Sequence, residues 1–205
     1  MRLSKSQREL LARATESYEQ NMTEILPYLM GRGIKEATAR TFRLGFVKNP
    51  EVGHEPYVGK LAIPYLTPAG VIDIRFRSLN TDGGPKYMSR PGATTHIYNI
   101  AALNKDSDSL VVCEGELDTV VASQAGFNAV GLPGANNWKS FYARVFADWS
   151  KVILLCDGDN AGREMAKHLS RELDNVFPVF MPEGQDVNDV YLAEGADGLR
   201  RRAGV

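Results

Sequence analysis

Residues 151–165 read KVILLCDGDNAGREM. An apolar run from Val152 to Cys156 ends in Asp157 and Asp159 around Gly158, and a helix-like stretch follows at once. A short continuous apolar run closed by a turn signal predicts a strand buried on both faces. In extended backbone, residues i and i+2 point the same way and lie about 6.6 Å apart. Two carboxylates so placed repel, and one is driven towards protonation unless a cation lies between them. Gly158 lets the chain turn or be approached closely at this point. Two readings are open. The aspartates form a turn in which Asp159 or Asn160 caps the helix, or they hold a divalent ion through oxygen ligands, as Mg²⁺ prefers.

The surroundings weigh on that choice. The apolar runs at 109–115, 128–132, 151–156 and 176–181 predict strands. Helical stretches at 116–126, 136–148, 161–173 and 186–195 alternate with them. This alternation predicts right-handed crossovers and a parallel sheet covered on both faces. In such a sheet chemistry gathers beyond the carboxyl ends of the strands. Three acidic clusters fall there: Glu114 with Asp118, Asp157 with Asp159, and Asp186 with Asp189. Singly, each has a plain alternative as a surface ion pair, a first-turn helix acid or an N-cap. Together and unpaired they would form a costly negative pocket, which favours metal binding.

The first half is less regular. Helices are expected within 7–20, 22–34 and 35–44, and strand-like pieces at 60–66 and 71–79 form a hairpin. In the second piece Ile72, Ile74 and Phe76 alternate with Asp73, Arg75 and Arg77, which puts the two arginines on one face. The stretch 80–95 is read as a loop that adds Lys86 and Arg90. Residues 1–100 carry 14 Lys and Arg against 9 Asp and Glu, and the remainder carries 10 against 16. A basic half thus precedes an acidic one; phosphates suit the first and metal cations the second.

Several classes are excluded. Two cysteines, Cys113 and Cys156, are too few for a zinc ribbon or a disulfide framework. No apolar stretch approaches the roughly 20 residues of a membrane span, and the charged start is no signal peptide. A cytoplasmic protein without membrane contact is the expectation. His54, His96 and His168 lack metal-ligand spacing, and no phosphate-binding GxxxxGK[ST] loop or covalent-nucleophile motif occurs.

VVCEGELDTVVASQAGFNAVGLPGA, VILLCDGDNAGREMAKHL and the later DVND together resemble the TOPRIM module shared by bacterial-type primases, topoisomerases and some nucleases. YLMGRGIKEATARTFRLGFV, LAIPYLTPAGVIDIRFRSL and GGPKYMSRPGATTHIYN resemble the amino-terminal part of a DnaG-type primase catalytic core. The resemblance implies an α/β fold: a basic α+β subdomain over 1–108, a TOPRIM parallel sheet flanked by helices over 109–195, and a basic tail over 196–205 that contains Arg200, Arg201 and Arg202. It implies primer synthesis on single-stranded DNA from ribonucleoside triphosphates, with Mg²⁺ or Mn²⁺ as cofactor and no zinc. By it, Glu114, Asp157 and Asp159 match the principal metal ligands, and Asp118, Asp186 and Asp189 the supporting acids. Arg75, Arg77, Lys86 and Arg90 would hold template or triphosphate, and Tyr87 would stack on a base. A replicative helicase and a separate zinc-binding primase subunit are the further partners implied. The rival readings are a TOPRIM nuclease with water as nucleophile and a non-catalytic module that binds single-stranded DNA or a helicase.

Overall fold

The computed structural model describes residues 3–80, 83–133 and 138–205. The chain divides into two compact units, one ending at Thr94 and the other running Thr95–Val205.

In the first unit, helix α1 (Lys5–Gln20) begins at Ser4, whose hydroxyl accepts from the Gln7 amide while the Gln7 side chain returns to the Ser4 amide. This reciprocal cap satisfies two donors that the first turn would otherwise leave open. Leu11, Ala14, Thr15 and Tyr18, at helical spacing, form its buried stripe. Two short helices follow, α2 (Leu26–Gly31) and α3 (Glu36–Thr41). The sheet is wholly antiparallel, in the order β1 (Gly45–Phe46), β2 (Leu61–Thr67), β3 (Gly70–Arg77) and β4 (Tyr87–Ser89). Helix α1 packs on β3, and the core between them includes Leu11, Tyr18, Tyr57, Ile74 and Phe76.

The expected hairpin is therefore present, but its polar face is not open to water. Asp73 and Arg77 are buried, Arg75 is half-buried and Ile72 is only partly covered. Strand β4 lies within the stretch read as loop, and it covers this edge by pairing Phe76 with Met88 and Arg77 with Tyr87.

The second unit holds a parallel sheet in the order β6 (Ala129–Gly131), β5 (Ser109–Cys113), β7 (Lys151–Cys156) and β8 (Val176–Phe180). Helices α4 (Glu116–Gln124), α5 (Ala143–Phe146), α6 (Asn160–Glu172) and α7 (Val187–Ala203) complete it. Leu110, Val112, Val130, Val152, Leu154 and Cys156 share one core cluster with Tyr142 and Phe146 of the α5 region and with Met165, Ala166 and Leu169 of α6. Val111, Cys113, Ile153 and Leu155, of opposite parity, are equally buried. Helices α4 and α7 pack together and contact β5 and β7 respectively.

Four sequence expectations shift. Residues 95–108 cluster with the sheet unit, because Tyr98 and Gly131 exchange two backbone hydrogen bonds and Asn99 bonds the Ala129 carbonyl. Residues 196–203 are not a tail but the end of α7, with Leu199 and Ala203 buried and a kink at Gly195. The helix expected over 136–148 is a 3₁₀ turn at Ser140–Tyr142 followed by α5; its first two residues, 136 and 137, lie outside the described residues. The run 176–181 does form β8, but as an edge strand it leaves Phe177 and Phe180 about half exposed.

Candidate active site

Strands β5 and β7 are neighbours with Cys113 opposite Leu155, so their ends deliver Glu114 and Asp157 side by side. The Asp157 amide donates to Glu114 Oε1 at 2.9 Å. Asp159 leaves the strand end in extended conformation and caps α6, with Oδ1 accepting from the Gly162 amide at 2.9 Å. Gly162 is required here. A Cβ at this position would stand 2.3 Å from the Asp157 carbonyl oxygen and 2.7 Å from Glu114 Oε1. Gly158 is equally crowded, since its Cβ would fall 1.8 Å from the Pro182 carbonyl oxygen. Its amide donates to Gln185 O and its carbonyl accepts from Gly184 N, each at 2.9 Å, so the loop after β8 is tied to the strand end of β7.

The electrostatics are those of crowded negative charge. Glu114 is half-buried, and its carboxyl is pushed up to about 7, first by desolvation and then by the charges of Asp159 and Asp118. Below it, burial pushes the Cys113 thiol well above its usual range and Cys156 up to about 12. Both thiols stay protonated, so the donors on offer are carboxylate oxygens. That set fits a hard divalent cation such as Mg²⁺ or Mn²⁺. As they stand, among the described residues no three carboxylate, imidazole or thiolate groups are close enough to enclose an ion. Glu114 and Asp159 are instead engaged with backbone amides.

The six acids thus separate. Glu114, Asp118, Asp157 and Asp159 share one electrostatic neighbourhood. Asp186 and Asp189 form a reciprocal cap at the start of α7, with Asp189 exposed. The fully buried polar residue described in this turn is Asn188, whose side-chain amide donates to Asp118 Oδ1. Sequence reasoning passed over Asn188, which stands one residue before the acid that drew attention. A helix N-terminus turns its side chains by about 100° per residue, and only packing shows which one points in.

In the first unit Arg77 and Arg90 are held by tyrosine and aspartate side chains. Arg77 is buried, with Nε donating to the Tyr28 hydroxyl at 2.7 Å and Nη1 to the Tyr87 hydroxyl. Burial opposes its charge, but the two tyrosines outweigh that and hold its pKa above the usual arginine value. The Tyr87 ring lies 4.6 Å from the Arg75 guanidinium and 4.9 Å from that of Arg77. Arg90 pairs with Asp73 at 3.0 Å. Lys86 is exposed.

Comparison with known proteins agrees with this architecture. A Toprim-like family model matches residues 111–191. The solved Aquifex aeolicus primase, comprising its zinc-binding and RNA polymerase domains, superposes with a TM-score of 0.81 at 25% identity, over 99% of this chain and 62% of that one. The fold, with the Toprim-like match, is that of the TOPRIM-containing core of DnaG-type primases. The chain belongs to the family of the Gene 57 protein of Mycobacterium phage D29, to which it is 40% identical over 151 residues, 71% of this chain and 99% of that protein. The DNA primase of Pseudomonas aeruginosa is 27% identical over 94% of this chain, which spans only 37% of that enzyme's length.

Proposed function

We propose that this chain is a primase-type nucleotidyltransferase that joins ribonucleotides on a single-stranded DNA template with the help of divalent cations. The observation that carries the reading is Glu114. Its carboxyl, which accepts from the Asp157 amide, lies at the ends of the two central strands, pushed up to about 7 first by burial and then by the crowding charges of Asp159 and Asp118. Such crowding costs stability unless a cation offsets it. Primer extension joins a ribose 3′-oxygen to the α-phosphate of the next triphosphate and releases pyrophosphate, a step that needs positioning and charge neutralisation more than a side-chain nucleophile.

Glu114, Asp157 and Asp159 would hold the ion, with Asp118 beside them. When bound, the ion lowers the pKa of the attacking hydroxyl and neutralises charge on the phosphates. The chain's own part is to present oxygen donors from rigid strand ends. Asp186 and Asp189, which cap the start of α7, are assigned to supporting that site. In the first unit Lys86 and Arg75 are assigned to template or triphosphate phosphates. Arg77 and Arg90, held by Tyr28, Tyr87 and Asp73, stiffen that surface, and Tyr87 offers it an aromatic ring. A replicative helicase and a separate zinc-binding primase subunit are the further partners proposed for this chain.

The test is ribonucleotide incorporation on single-stranded DNA with Mg²⁺ or Mn²⁺, run beside Asp157→Asn. Metal-dependent product that the variant fails to make supports the reading. Strand cleavage in place of synthesis would assign the chain to nucleases. Tight DNA binding with neither activity, unchanged in the variant, would make it a binding module.

A further inference from the structure

Asn188 lies at the start of α7 and is fully buried. Its Nδ2 donates to Oδ1 of Asp118, in the first turn of α4, the helix against which α7 packs. Its own Oδ1 is buried and has no hydrogen-bond partner among the described residues. The orientation of the amide is fixed by chemistry, because a carboxylate can only accept and the NH₂ end must therefore face it. Burying an amide with its oxygen unsatisfied costs stability. A leucine at this place in the apolar seam, beside Val187 and Val190, would avoid that cost. The residue is accounted for by what its NH₂ group does to Asp118, whose charge in turn acts on Glu114.

We propose that Asn188 is a positioning residue of the acidic site: its amide clamps the Asp118 carboxylate across the α4–α7 contact and thereby sets the site's affinity for a divalent cation. This rests on the metal reading given above. Metal sites depend on such outer groups to orient the carboxylates, and their loss typically lowers affinity by about 10–100-fold.

A double-mutant cycle tests it, with Mn²⁺ as the probe and free Mn²⁺ followed by electron paramagnetic resonance. Asn188→Leu in the intact chain is expected to bind Mn²⁺ about tenfold more weakly or worse, with the rate of nucleotide incorporation at saturating metal little changed. In an Asp118→Asn background the same change should add almost nothing, because the clamp then has no carboxylate to hold. A purely structural role for Asn188 would give equal losses in both backgrounds and overturn the proposal. So would unaltered Mn²⁺ binding by Asn188→Leu in a chain whose binding Asp157→Asn abolishes. Wild-type protein with no Mn²⁺ affinity would instead mark failure of the metal reading itself. Should the leucine variant not fold, the wild-type side-chain amide decides: its proton resonances are expected to shift on adding Mg²⁺, and indifference to Mg²⁺ refutes the clamp.

Discussion

Asp157 stands at the end of a central strand, within two residues of Asp159 and bonded through its amide to Glu114. Removing its charge while keeping its shape, as Asp157→Asn, is expected to lower nucleotide incorporation about 10²-fold or more, the scale of losing one electrostatic stabiliser. Near-normal turnover in a steady-state assay would disprove the assignment. Glu114 couples that site to pH. With its carboxyl near 7 in the metal-free chain, it must lose a proton before it can ligate, so Mn²⁺ should bind more tightly at about pH 8 than at about pH 6 and release protons on binding. Calorimetry in two buffers of different ionisation enthalpy counts those protons, and Glu114→Gln should abolish the release. These acids were legible in the sequence because charge at the end of an apolar run is conspicuous. The buried state of Arg77 was not, since its partner Tyr28 sits on a helix 49 residues away. Alternation placed Arg77 on the correct face of β3 and gave no hint that other elements would cover that face.

Among the elements, α6 carries a conflict that can be resolved by mutation. Asp159 serves both as its N-cap and as a candidate ligand. Asparagine caps as well as aspartate, whereas loss of the cap to alanine costs about 1 kcal/mol. Asp159→Asn is therefore expected to melt within a degree or two of wild type while losing activity; Asp159→Ala should lose both stability and activity. Equal destabilisation by the two variants, read by differential scanning calorimetry, would contradict this assignment. The strands of the parallel sheet were legible because β5 and β7 are unbroken apolar runs with buried neighbours on either side. The run that forms β8 looks the same in sequence, yet Phe177 and Phe180 stay half exposed because the strand has β7 on one side only. Strand order, which decides this, is a property of long-range pairing. The same holds for β4, a three-residue strand whose register is set by the β3 edge and not by its own composition.

Across the whole molecule, two titrations, one half-buried and one buried, run in opposite senses. Glu114 holds its proton longer in the folded chain than its ordinary value of 4.5 would allow. The metal-free fold thus loses stability as pH rises from about 4.5 through about 7. His54 shows the reverse. Burial, and then the charge of Arg90, lowers its pKa from the ordinary 6.5, despite Glu51, Glu55 and Asp73 nearby. The unfolded chain takes up that proton first, so stability is lost as pH falls below about 6.5. Melting temperatures of Glu114→Gln and His54→Gln, each referred to wild type over this range, are expected to slope in opposite directions. Parallel slopes would show that one of these groups is not buried as described. The division into a basic and an acidic half was legible in the charges along the chain, and the two titrations fall one in each half. The boundary at residue 94 was not legible, because it depends on Tyr98 reaching Gly131.

The protonated thiols beneath the acids have a practical consequence. Cys113 and Cys156 sit on the two adjacent central strands, fully covered, with burial holding each in its unreactive form. An alkylating reagent such as iodoacetamide finds neither in the native chain at neutral pH, and each becomes reactive only while its strand is open. The rate at which the two sulfurs are carboxymethylated, followed by mass spectrometry, is therefore an internal clock for opening of the sheet, present without any engineered label.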